Sequence, residues 1–73
     1  MRDVNRIEPF MTEIGELWKK RFPNYRFGQL MVGFFYAAGD PFYFEEDEFL
    51  EAFKAYCAGE DPKAARKRFL DQK

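Results

Sequence analysis

Residues 26–48, RFGQLMVGFFYAAGDPFYFEEDE, hold an apolar helix candidate, a Gly-Asp-Pro stop, an aromatic triplet and an acidic run without a gap between them. On a helical wheel Phe27, Leu30, Met31, Phe34 and Ala38 share one face, the i, i+3, i+4 pattern of a buried stripe. Val32 and Tyr36 fall on the opposite face, so the segment is apolar nearly all round and is expected to have neighbours on two sides. It is too short, and too closely flanked by charge and proline, to span a bilayer. Gly39 is the natural left-handed C-cap, with positive φ, and Pro41 prevents the helix from resuming. The spacing therefore predicts a central helix over residues 27–38 against which the other segments pack.

Upstream, Asp3 is placed to cap a short turn that runs to Ile7. Pro9 is welcome in a first turn, so an amphipathic helix is expected to start at Glu8 or Pro9. Ile7, Phe10, Met11, Ile14, Leu17, Trp18 and Phe22 form its apolar stripe, with Trp18 expected in the core. Glu16 and Lys20 stand four apart in the favourable order. Pro23-Asn24 breaks the chain, with Asn24 the candidate cap of the central helix. Gln29 is expected to satisfy loop backbone groups, and Arg26 to pair with Asp40 or Asp47.

Downstream, residues 45–48 (EEDE) open a third helix, where carboxylates complement the positive end of the helix dipole. Phe49, Ala52, Phe53 and Tyr56 make its buried face, with Leu50 and Cys57 at one edge, and Gly59 ends it. Asp61-Pro62 starts a fourth helix with few apolar side chains, so residues 61–73 are expected to dock weakly. The fold class is thus all-α: one domain over residues 1–73, a small three-helix bundle with a short fourth C-terminal helix and an aromatic DPFYF loop.

Composition narrows function. At 73 residues a single core is only just sufficient, and 15 aromatic side chains explain how so short a chain builds one. The chain has no His, no Ser, one Thr and one Cys, which excludes Ser-His and Cys-His nucleophiles, His-ligated metals and cysteine zinc sites within it. No catalytic residue, cofactor or metal is expected. The lone Cys57 and the lack of an apolar leader fit a cytoplasmic protein without a membrane segment.

Three constellations remain. The acidic run reads as a solvated helix start; it lacks the alternating ligands and glycine of a calcium loop. The basic run Lys63, Arg66, Lys67 and Arg68 could meet nucleic-acid phosphates, but no groove-reading motif accompanies it. Residues 61–73 carry net +3 and residues 45–60 net −5, so pairing within the chain is the simpler use. The DPFYF segment serves either as a helix stop with an aromatic lid or as a binding patch. If extended, it alternates side-chain directions, with Phe42 and Phe44 inward and Tyr43 outward. A protein-binding patch of Tyr43, Glu45, Glu46 and Asp47 is the favoured functional reading. A homo-oligomer remains open.

NRI at residues 5–7, Trp18, PNYRFGQL at 23–30 and DPFYFEEDEF at 40–49 together resemble a family of small helical proteins of bacteria and their phages. The resemblance covers roughly residues 5–53. It implies a compact helical domain with no assigned activity; by association with small phage proteins, which often act by binding host proteins, a phage-type modulator or inhibitor of a host protein is the expected role. Asn24 stands where an acid is usual, and the basic tail after Gly59 departs from the pattern.

Overall fold

The computed structural model describes residues 2–72. Four helices are present: α1 (Ile7–Arg21), α2 (Phe27–Ala38), α3 (Glu46–Cys57) and α4 (Pro62–Asp71). No strand occurs among the described residues, and none of their helices is long and apolar enough to cross a membrane.

A single 3₁₀ turn, Val4–Arg6, feeds directly into α1. The Asp3 carboxylate accepts from the Asn5 N–H, and the Ile7 N–H donates to the Val4 carbonyl. Helix α1 therefore begins before Pro9, which occupies its first turn, where a missing N–H leaves no intrahelical bond unmade. Glu16 pairs with Lys19, one turn on, at 3.5 Å.

Helix α2 has the predicted bounds, but its caps differ in part. Arg26, not Asn24, is the N-cap residue: Gln29 Oε1 reaches back to accept from the Arg26 N–H at 2.8 Å. The expected ion pair of Arg26 with Asp40 or Asp47 does not occur among the described residues; the Asp40 carboxylate accepts from the Phe42 N–H instead. At the C-terminus Gly39 has the expected positive φ, 88°, but its ψ of −175° is extended and not left-handed helical, a region open essentially to glycine alone, so the chain leaves the helix straight into the turn.

The hub is α3, which packs against α1, α2 and α4, whereas the sequence pattern places that role on α2. The outer face of α2 remains uncovered, with Val32 69% and Tyr36 92% exposed. Apolar content made α2 look two-sided, yet among the described residues no other helix covers the second side. Phe34, Phe53 and Leu30 are the largest fully buried side chains, joined by Ile14, Ala38, Ala52 and Cys57. Trp18 is only partly buried: its ring tilts against Phe27 at 5.6 Å and its Nε1 donates to the Tyr25 carbonyl at 3.1 Å. Ile7, Met11 and Phe27, assigned to stripes by periodicity, are about half exposed.

Helix α4 is held by more than apolar contact. Pro62 and Ala65 are buried, and Arg66 crosses to α3, where its Nε donates to Glu48 Oε2 at 2.7 Å. Glu48 is only 5% exposed, and its other oxygen accepts from the Glu45 N–H at 2.9 Å. Both carboxylate oxygens of a buried charge are thus satisfied, the condition under which burying it is tolerated. The Arg66 guanidinium also lies 4.1 Å from the centre of the Phe44 ring, a cation–π contact.

Two measurements test this packing. A Cβ built on Gly33 would stand 2.6 Å from the Tyr56 hydroxyl oxygen, whereas one on Gly15 meets nothing within 4 Å. Gly15→Ala should raise the unfolding free energy by about 0.5–1 kcal/mol through helix propensity. Gly33→Ala should lose that gain to overpacking and fall at least about 1 kcal/mol below Gly15→Ala in urea titration; equal gains would contradict the close approach. Arg66→Ala leaves Glu48 buried without its cation and should cost about 1–3 kcal/mol. Arg68→Ala, on the exposed side of the same helix, should stay within about 0.5 kcal/mol of the parent.

Candidate protein-contact surface

Residues 41–44 form a tight turn, because the Phe44 N–H donates to the Pro41 carbonyl at 2.9 Å and the Asp40 side chain holds the Phe42 N–H at 3.0 Å. In a turn the two central side chains stand at the tip, and the strand-like alternation expected for an extended segment does not apply. Phe42 is accordingly not turned inward. It is 77% exposed and Tyr43 is 85% exposed, their rings meeting edge to face at 4.8 Å. Tyr43 faces outward as expected, and Phe44 alone turns in, against Phe49 of α3 and beneath Arg66.

The carboxylates beside this aromatic knuckle are engaged. Glu45 takes a bidentate pair from Arg2, Nη2 to Oε1 at 2.5 Å and Nε to Oε2 at 3.2 Å. Glu46 Oε1 accepts from Arg6 Nε at 2.6 Å, and the Asp47 carboxylate accepts from the Glu48 N–H at 2.8 Å. Phe42, Tyr43, Glu45, Glu46, Arg2 and Arg6 line one shallow polar hollow of about 400 Å³. The structure thus gathers Tyr43, Glu45 and Glu46 from the expected patch and adds Phe42 and two arginines. Asp47 lies on a neighbouring hollow, with Glu45 and Glu46 on its wall. The local charge is mixed, not simply acidic.

On the other side of Phe44, between α1 and α2, lies an open apolar hollow of about 280 Å³. Met11, Phe27, Met31, Pro41 and Phe49 wall it, with Glu46 at its lip. Periodicity places Met11, Phe27 and Met31 on core-facing stripes; only the separation of α1 from α2 leaves that stretch open.

The four basic residues of α4 do not gather into one free face. Arg66 is held by Glu48 and Phe44, and Lys67 sits 3.6 Å from Asp71 one turn on. Among the described residues no three carboxylate or thiol side chains come together as a metal site. Cys57 is buried, and burial pushes its thiol above the ordinary value, with Arg21 opposing in part. Reactive thiols are those whose pKa is lowered.

One titration is set by the knuckle's flank. The hydrogen bond from Arg2 holds the Glu45 carboxyl below its ordinary value, with the partial loss of solvation acting against it. A depressed carboxyl contributes above its unfolded pKa, and the contribution disappears as pH falls through the folded value. The Glu45 side-chain resonance should therefore titrate below the usual glutamate range, and Arg2→Ala should move the midpoint up. An unchanged midpoint in that variant would show that the pair does not form in solution.

No protein-family model, no curated protein and no solved structure matches the chain.

Proposed function

We propose that the chain is a non-enzymatic protein-binding module that acts in the cytoplasm, as a phage-type modulator or inhibitor of a host protein. The observation that carries this reading is the Phe42–Tyr43 knuckle: two aromatic rings, almost wholly exposed, on a turn pinned by two hydrogen bonds. Exposed rings cost apolar hydration, and a turn that holds them in place has already lost the entropy that binding would otherwise remove. Aromatic side chains of this kind are the usual anchors of an interface, with a tyrosine hydroxyl able to stay wet at the rim. The arginine–carboxylate pairs of Arg2 with Glu45 and Arg6 with Glu46 surround the rings with polar groups that can exchange partners. The apolar hollow walled by Met11, Phe27 and Met31 shares Phe44 and Glu46 with the knuckle's hollow and would take an apolar side chain of the same partner.

The test compares host proteins captured by the immobilised parent chain with those captured by two variants. Phe42→Ala/Tyr43→Ala should keep the fold, since both rings stand clear of the core, and should lose the specific partner. In a titration with that partner the loss should be at least about 2 kcal/mol, more than tenfold in Kd. Lys63→Ala/Lys67→Ala/Arg68→Ala should retain it. If the α4 variant loses binding while the knuckle variant does not, and binding weakens steeply between low and physiological salt, the basic helix and nucleic acid replace this reading.

A further inference from the structure

The turn that carries Phe42 and Tyr43 is fixed in part from outside itself. Glu48, in the first turn of α3, uses both carboxylate oxygens: Oε1 accepts from the Glu45 N–H at 2.9 Å and Oε2 from Arg66 Nε at 2.7 Å. Its side chain is nearly out of water, so solvent cannot replace either bond while the carboxylate stays in place. Arg66 reaches it from α4, 18 positions along the chain, and lays its guanidinium 4.1 Å from the centre of the Phe44 ring. Phe44 closes the turn, its N–H donating to the Pro41 carbonyl at 2.9 Å. The two residues that follow the knuckle are thus held, one by its ring and one by its N–H, through a single distant arginine.

We propose that Arg66 is a positioning residue for the knuckle, and that the seating of α4 on α3 regulates the surface the knuckle presents. Arg66 does not line the hollow beside the two rings; it acts through Glu48 and Phe44. Without the guanidinium, Oε2 is a charged acceptor out of water with no donor. The carboxylate can regain water only by turning outward, and that movement breaks the bond from Oε1 to the Glu45 N–H. The Phe44 ring loses its cover at the same step. The turn then keeps two local hydrogen bonds, from Phe44 to Pro41 and from Phe42 to Asp40, to set against the conformational freedom it would regain.

Helix α4 is suited to regulate in this way. Its buried residues are Pro62 and Ala65, both near its start, and Arg66 carries its polar link to α3. An element held by little buried area opens locally at lower cost than the core. With α4 seated, the knuckle is fixed before it binds; with α4 lifted, the same rings must be ordered on binding, and affinity falls. The coupling is reciprocal, so a protein that binds the fixed knuckle seats α4 more firmly. This role rests on the reading of the knuckle as the contact surface. It also gives one member of the basic run, Arg66, a use that needs no nucleic acid.

Amide hydrogen exchange of the free whole chain, read by NMR, tests this. Each variant is compared after its change in global stability, from urea titration, has been subtracted. In Arg66→Ala the Phe44 and Glu45 N–H groups should exchange at least about tenfold faster beyond that change, while the Phe34 N–H in the core follows global stability alone. Arg66→Lys, which keeps a cation for Glu48, should recover most of the protection at Glu45. Leu30→Val, which trims the core without altering any of these groups, should move all amides alike. If Arg66→Ala does not fold, Glu48→Gln asks the same question: one acceptor oxygen must then serve both Arg66 and the Glu45 N–H, and exchange at Glu45 should rise. A loss of protection spread evenly, as in Leu30→Val, overturns the proposal, and so does unchanged exchange at Phe44 and Glu45. Exchange is read without any partner, so this failure is distinct from a knuckle variant that still captures the parent's partner.

Discussion

Phe34 is the side chain around which the helices close. It is fully buried on α2, and its ring meets Phe49 at 4.9 Å, Phe53 at 5.1 Å and Tyr56 at 5.7 Å, all three on successive turns of α3. A 73-residue chain has few positions it can remove from water, so each must bury much area. Clustered aromatic rings meet that demand, with edge-to-face and tilted contacts that add a little beyond burial alone. The constraint then propagates. Tyr56 lays its hydroxyl over Gly33, where an added Cβ would stand 2.6 Å from it and force a shift, so α2 and α3 approach closely at this point. Because α3 is the helix that offers three rings in a row to Phe34, it becomes the hub, and α1 and α4 attach to its remaining sides.

A second, polar fixture ties the ends of this arrangement together. Glu48 belongs to the first turn of α3, Arg66 to α4 and Phe44 to the turn between α2 and α3. The three meet as a half-buried ion pair, with Glu48 inside and Arg66 partly in water, stacked on the Phe44 ring. Such a pair adds little net stability when weighed against desolvation, but it specifies geometry, since the guanidinium donates to one carboxylate oxygen while the other already holds the Glu45 N–H. Holding Phe44 inside has a consequence two residues back. The turn is too tight for more than one of the three rings to be buried, and Phe42 and Tyr43 are left standing in water. The exposed knuckle is thus a product of the anchoring network and not an independent feature of the loop.

The uncovered parts of the molecule follow from the same shortage of chain. Helices α1 and α2 are both seated on α3 but stand apart from each other along part of their length, which opens the apolar hollow of Met11, Phe27 and Met31. The outer side of α2 is covered by no element among the described residues. Fifteen aromatic residues are more than one small core can enclose, and those left over are at the turn, on the outer ridge of α2 and at the mouth of the hollow. These are the surfaces that binding would use.

Local chemistry alone was enough to determine the helical class, the bounds of α2, the Asp3 and Asp61 caps, the glycine stops and the Ala52 and Phe53 part of the buried face of α3. Each of these depends on side chains within one or two turns: a carboxylate reaching a backbone N–H, a glycine adopting positive φ, or a proline denying a donor. Glu48, expected in a solvated helix start, and Cys57, expected at an edge, are buried too, and Phe49 and Tyr56 only partly. Tyr43 outside and Phe44 inside agree with the expectation, but the strand alternation behind it does not hold in the turn, and Phe44 is held in place by Phe49 and Arg66. What only the tertiary structure decided is which apolar residues are buried. Periodicity reports that Ile7, Met11, Phe27 and Val32 lie on particular sides of a helix, but not whether another helix stands there, and at all four positions none covers them fully. Phe42 was misplaced because a turn closed by the Pro41 carbonyl replaces strand alternation, and the reach of Arg66 to Glu48 spans 18 residues of chain. Such contacts arise from the meeting of distant segments, and no local pattern in either segment records its partner.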